Sequence, residues 1–218
     1  KIDFSNTNFR SSNLENSIFG FDSLSGVDFQ HSNLTGVTFR LKQFNGLSLY
    51  PSGSQIAISS PEDIILWNLQ SNLLERKVEA DGPWHVRHSP DCKVLVNTTW
   101  GGFEIRDSQT LDVVSTHDHD EKDNLWTSSF AFTSDSKTLF VGCNNSAVYV
   151  WDFVECREIS ALVEHTDCIE TVALSQDNKL LFSSSYKELI VWDTLTLNPL
   201  AKRSWENINL GNILLHPD

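Results

Sequence analysis

Methionine is absent from all 218 residues, no apolar run is long enough to cross a bilayer, and no glycine-, serine- or proline-rich stretch interrupts the chain. Basic side chains are scarce as well: 16 Lys and Arg stand against 29 Asp and Glu, a formal net charge of −13. A surplus of that sign is repelled by phosphate backbones and anionic lipid, which argues against nucleic acid and membrane as direct partners. The four cysteines, Cys92, Cys143, Cys156 and Cys168, form no Cys-x-x-Cys pair and follow no metal-ligand spacing, so reduced thiols in a cytoplasmic protein are expected. Missing too are a Gly-x-Ser-x-Gly elbow, a His-Glu-x-x-His helix and a phosphate-binding Gly-x-x-x-x-Gly-Lys loop. The sequence therefore predicts no catalytic residue, no bound cofactor and no metal.

What is present is repetition. Ten large apolar residues recur at intervals of five, at Phe4, Phe9, Leu14, Phe19, Leu24, Phe29, Leu34, Phe39, Phe44 and Leu49. Five fits neither the 3.6 of a helix nor the 2 of a strand, so each unit must be one side of a repeating coil. Units such as Asn8-Phe9-Arg10-Ser11-Ser12 and Asn33-Leu34-Thr35-Gly36-Val37 closely resemble the pentapeptide-repeat family. That resemblance implies a right-handed quadrilateral β-helix over residues 1–46, with the central Phe or Leu of each unit inside.

A second period, near forty, follows. Strand-like runs end in Leu66-Trp67-Asn68, Ile105-Arg106-Asp107, Val150-Trp151-Asp152 and Val191-Trp192-Asp193, at spacings of 39, 45 and 41. Turn signals starting at Tyr50, Ser89, Thr133, Ser175 and His216 recur in step, 39, 44, 42 and 41 apart. Alternating segments lie between, as in Thr138 to Cys143 and Ala147 to Trp151, and read as hairpins. This pattern resembles the WD40 repeat, a four-stranded propeller blade. The expected fold class is all-β: a short β-helix, then an incomplete propeller over 47–218. Its blades are expected at about 47–80, 84–116, 125–162 and 165–203, with the start of a fifth at 208–218. Few coils, no capping segment and too few blades to close a ring point to part of a larger protein. The junction, near Phe44 to Ser48, has no linker and is expected to be rigid.

Individual side chains carry less. His165, at the start of the last full blade, stands where WD repeats carry a His. The resemblance implies that it bonds a Ser on the second strand and an Asp in the next turn, bracing the blade's Trp. Ser184 or a neighbouring Ser and Trp192 are available, but Tyr186-Lys187-Glu188 offers no Asp, so an incomplete network is expected. Trp151 is expected to play the same structural part as Trp192 in its own blade. The run His117-Asp118-His119-Asp120-Glu121 could hold a divalent cation, but consecutive ligands on a solvated loop read more simply as an acidic rim.

Residues 1–45 hold four basic and four acidic side chains, so the negative charge belongs to the propeller, and a DNA-mimicking surface on the first array is disfavoured. Trp84, Trp100, Trp126 and Trp205 lie outside the repeat signature. Large aromatics at loop positions are typical interface anchors. Three function classes compete: a non-enzymatic protein-interaction scaffold, the sensor arm of a signalling NTPase, and an enzyme on a propeller platform. The scaffold is favoured, with Trp126 and Trp100 as anchors and Asp118, Asp120, Glu121 and Asp123 steering a protein partner with a basic surface.

Overall fold

The computed structural model describes residues 8–15, 17–21, 38–41, 45–71, 73–118 and 125–205. Outside them lie Phe4, Leu24, Phe29 and Leu34, the loop positions His119, Asp120, Glu121 and Asp123, and the strand expected at 208–216.

The five-residue period is written into the backbone of the first array. The side-chain oxygen of Asn8 accepts from the Arg10 amide at 2.8 Å, and that of Asn13 accepts from the Glu15 amide at 3.2 Å. Each is followed by a turn, Ser12 N to Phe9 O at 3.1 Å and Ser17 N to Leu14 O at 3.0 Å. Identical turns five residues apart are corners, and the Asn before each Phe or Leu fixes them by folding its amide onto the backbone two residues on. Strand β1 (Ile18–Phe21) then pairs in parallel with β2 (Thr38–Leu41), placing Ile18 opposite Thr38 and Phe19 opposite Phe39. The offset of 20 residues between paired positions is four of the five-residue units. Phe9 and Leu14 are half-buried.

Four antiparallel four-stranded sheets follow. The first holds β3 (Gly46–Leu49), β4 (Gln55–Ser59), β5 (Asp63–Asn68) and β6 (Leu73–Glu79). The second holds β7 (Val86–His88), β8 (Val94–Thr99), β9 (Gly102–Asp107) and β10 (Val113–Asp118). In the third are β11 (Thr127–Phe132), β12 (Thr138–Cys143), β13 (Val148–Asp152) and β14 (Arg157–Leu162). The fourth is β15 (Ile169–Leu174), β16 (Leu180–Ser185), β17 (Glu188–Asp193) and β18 (Pro199–Ser204). In each sheet the strands lie in sequence order, the meander of a propeller blade. The fold is all-β, as expected, and the described residues contain no helix.

The turn signals have a common mechanism. In the third and fourth blades Thr133 and Ser175 hydroxyls donate to Asp135 and Asp177 at 2.7 Å, and these carboxylates accept the Lys137 and Lys179 amides at 3.1 Å. The next position, Gly53, Cys92, Ser136 or Asn178, takes φ of +72°, +64°, +59° and +58°. Three of the four are not glycine, so the turn's hydrogen bonds must offset a backbone angle that L residues avoid. The Asp of each Trp-Asp pair works likewise. Asp152 accepts the amides of Val154 and Glu155, Asp107 those of Gln109 and Thr110, and Asn68 those of Gln70 and Ser71. It closes the β-turn that sends the chain into the outermost strand. Pairing shifts register at the step into Trp67, Trp151 and Trp192, a bulge that re-aims each ring.

Two compact units divide the chain: Lys1–His88 with Cys92–Trp100 and Glu104–Thr116, and Ser89–Asp91 with Gly101–Phe103 and His117–Asp218. The core of the first joins Ala57, Ile64 and Leu66 of the first blade to Val86, Leu95 and Leu111 of the second. In the second, Ala131, Phe140, Val148, Val150 and Leu162 meet Ile169, Val172, Leu181, Ile190 and Trp192. Burying each large apolar side chain is worth about 1.5–3 kcal/mol, so blades within a unit adhere mainly through these faces. Polar links add register: the Ser48 hydroxyl accepts the His88 amide at 2.9 Å, and that of Ser129 accepts the Val172 amide at 3.2 Å.

Candidate recognition surface

Two positions decide how each blade's inner wall is satisfied: nine residues before the recurring Trp, on the second strand, and four before it, where the third strand begins. The fourth blade has Ser183 and Glu188 there. Trp192 Nε1 donates to Ser183 Oγ at 2.8 Å, and Ser183 Oγ lies 2.7 Å from His165 Nε2. The Ser183 hydroxyl thus bridges the indole and the imidazole. The other ring nitrogen, Nδ1, lies 3.4 Å from Glu188 Oε2, without a hydrogen bond. Glu188 is itself held by the Thr166 amide at 2.9 Å and by Lys202 at 3.1 Å.

The sequence reading is corrected here in two respects. Ser183, not Ser184, carries the bond, and the fully buried Ser184 hydroxyl makes none. Glu188 supplies the carboxylate that an Asp was expected to provide, one methylene longer, and closes the network to within an ion-pair distance. Burial pushes the His165 pKa down against the pull of Glu188, which keeps the imidazole neutral. Burial raises Glu188, but the Thr166 amide and Lys202 outweigh it and the carboxyl sits below its ordinary value.

The other blades rework the same two positions. In the second, Arg106 replaces Trp and Asn97 replaces Ser: Arg106 Nε donates to Asn97 Oδ1 at 3.0 Å, and Arg106 Nη2 lies 2.6 Å from Glu104. In the third, Gly142 stands at the Ser position and offers no acceptor. Trp151 Nε1 is accordingly buried without a hydrogen bond, and its ring packs edge-on to Phe103 at 5.3 Å and against His117 at 4.8 Å. His117 thus sits in an aromatic cluster. Among the described residues no group of His, Cys, Asp and Glu is disposed to hold a metal.

The first blade departs furthest. Asp63 is the counterpart of Glu188 and Lys77 that of Lys202, and the pair survives at 3.3 Å. No His faces Asp63, however, and neither of its oxygens makes a hydrogen bond, although the residue is fully buried. Burial pushes its pKa up, Lys77 pulls it down, and Glu62 and Glu79 add to the rise. An open pocket of about 530 Å³ lies here, lined by Pro61, Glu62, Asp63, Glu79, Ala80 and Asp81.

Exposed aromatics complete the surface. Trp100 is 67% exposed, Trp126 49% and Trp84 48%. Trp126 is fixed by its backbone: its amide donates to Asn144 Oδ1 at 2.9 Å and its carbonyl accepts the Asn144 amide at 3.1 Å. Trp84 and Trp100 meet edge-to-face at 6.3 Å. Trp205 is half-buried. Of the acidic positions expected beside Trp126, Asp118 ends β10 and the rest lie outside the described residues. The Glu62 to Asp81 pocket is not a sequence expectation; the positional match of Asp63 to Glu188 could have revealed it.

Comparison with known proteins agrees with these repeats. Pentapeptide repeats, in eight copies, match residues 2–40, and a WD domain, G-beta repeat, matches residues 156–193. Over 111 residues the chain is 27% identical to the WD repeat and SOCS box-containing protein 1 of Danio rerio. It is 26% identical over 108 residues to the protein of that name from Homo sapiens. Each match takes in 49% of this chain and 23% of the relative, so the chain spans under a quarter of the curated relatives that it matches. A solved structure, Kuenenia stuttgartiensis hydrazine synthase, aligns with a TM-score of 0.66 at 18% identity, over 74% of this chain and 49% of that one; the likeness is of fold.

Proposed function

We propose that this chain, in which pentapeptide repeats are followed by WD repeats, is a non-enzymatic protein-recognition module of a larger protein. The observation that carries the reading is the exposure of Trp100 and Trp126 on strand-anchored turns, in a chain of net charge −13. A large aromatic held by a rigid scaffold loses little freedom on binding and contributes most at the centre of an interface. The acidic surplus selects partners with a basic face and speeds their encounter. WD-repeat relatives support a role in interaction, and the whole protein's partners belong to this proposal. The buried polar clusters brace blades: His165, Ser183 and Trp192 are internal and are linked to one another through the Ser183 hydroxyl.

The test is site-specific photo-crosslinking in cells, with the reactive side chain placed at 100, at 126, or at Leu195, which is 90% exposed but carries no aromatic or acidic context. Discrete crosslinked proteins are expected from 100 or 126 and not from 195. With the captured partner, neutralising Asp118, Asp120, Glu121 and Asp123 together should slow association and flatten its salt dependence. Equal yields at all three sites would contradict the reading.

A further inference from the structure

We infer that Tyr186 is a third partner-binding anchor of this chain, holding in the fourth blade the place that Trp100 and Trp126 share between the second and third. The inference rests on the recognition reading and adds to it a residue and a footprint: a protein that sits across the third and fourth blades.

The turn residues of positive φ, Cys92, Ser136 and Asn178, give the three blades a common ruler. Ten positions before each stand Gly82, Trp126 and Cys168, and eight positions after each stand Trp100, Asn144 and Tyr186. The two positions meet just outside the first strand's start and the second strand's end. In the third blade the Trp126 amide donates to Asn144 Oδ1 and its carbonyl accepts the Asn144 amide. In the fourth the ladder runs out to Ile169 opposite Ser185, which makes Cys168 and Tyr186 the next pair. In the second a Cβ on Gly82 would lie 2.6 Å from Trp100 Cδ1 and 3.2 Å from Cε2, so the glycine lets the indole lie against the chain.

Each pair therefore joins one large aromatic to one small residue, whichever strand carries the ring. The rings stay out of the core: Trp100 is 67% exposed, Trp126 49% and Tyr186 44%. Leu95, Leu139 and Leu181, which also recur at one position of the second strand, are fully buried in all three blades. Recurrence at a buried position follows from packing between blades, whereas recurrence of an exposed ring points to contact with something outside the chain. The turn that carries Tyr186 is held from two sides, because the Lys187 carbonyl accepts the Trp205 amide at 2.9 Å and the Glu188 carboxylate accepts the Thr166 amide at 2.9 Å. A Tyr ring on a fixed turn loses little freedom on binding and offers an apolar face with a polar tip. The third and fourth blades share one core, and the Val172 amide donates to the Ser129 hydroxyl across their seam at 3.2 Å. Trp126 and Tyr186 thus stand at the same end of neighbouring blades, where one partner can cover both.

The experiment places the photo-crosslinking side chain at 186 of the whole chain, in parallel with 126 and with the control position 195. Mass spectrometry is expected to find at 186 the same protein that 126 captures, and not at 195. With that protein purified, Tyr186→Ala should raise its dissociation rate at least tenfold. Tyr186→Phe, which keeps the ring, should lie closer to the parent than to Tyr186→Ala, and Leu195→Ala should change the rate less than twofold. Tyr186 and Leu195 are both exposed, so melting temperatures equal to the parent's check that binding and not folding is read. Capture at 126 with none at 186, different proteins at the two positions, or a dissociation rate for Tyr186→Ala equal to the parent's would overturn this anchor and leave the recognition reading standing. Silence at 100, 126 and 186 alike would remove both.

Discussion

At the scale of single residues, buried polar side chains are where this protein is most sensitive. His88 is 5% exposed, its Nδ1 lies 3.0 Å from the Ser48 hydroxyl, and the Tyr50 ring stands edge-on to it at 5.2 Å. Burial lowers its pKa to about 4, with the Ser48 contact opposing. Because the folded value lies below the unfolded 6.5, the contribution is complete above pH 6.5 and is lost as the pH falls to about 4. The interval corresponds to about 3 kcal/mol. Chemical denaturation at pH 7 and pH 4 should show the parent losing about that much more stability than His88→Gln. Equal losses would mean that the imidazole is not held neutral. Ser183→Ala removes at once the acceptor for Trp192 Nε1 and the partner of His165 Nε2. It should cost about 1–3 kcal/mol in denaturant unfolding. Ser184→Ala, beside it but without a hydrogen bond, should be near neutral.

At the scale of elements, register explains what the sequence hides. The two repeat periods are legible because a period survives without any knowledge of neighbours. Ser183 against Ser184 is not legible in that way, since adjacent strand residues face opposite sides and only the pairing of β16 with β17 tells which side holds Trp192. Glu188 was invisible as a partner because the family pattern asks for Asp, while the structure asks only for a carboxylate within reach of the ring. The pocket over Asp63 needed two blades to be superposed before its missing donors could be noticed. Gly142 shows a constraint from packing: a Cβ there would lie 2.6 Å from Ile169 Cγ2 and 3.3 Å from Val172 Cγ1. Close approach of two blades therefore forbids the side chain that would have satisfied Trp151. Gly142→Ala should destabilise by about 1–3 kcal/mol, read as a fall in the denaturation midpoint at unchanged slope. An unchanged midpoint would show that Ile169 and Val172 move aside freely.

At the scale of the whole molecule, the chain sets a stiff periodic framework beneath a surface of acids and indoles, and the recognition reading depends on the indoles. Charge sets how often a basic partner arrives, and a packed Trp sets how long it stays. The most direct measurement is the dissociation rate of the partner captured through position 126, taken from the parent, Trp126→Ala and Trp100→Ala at one salt concentration. Loss of an anchor worth about 2 kcal/mol predicts a rate about thirtyfold higher for at least one variant, with association changed far less. Dissociation rates equal to the parent's in both variants would contradict the account.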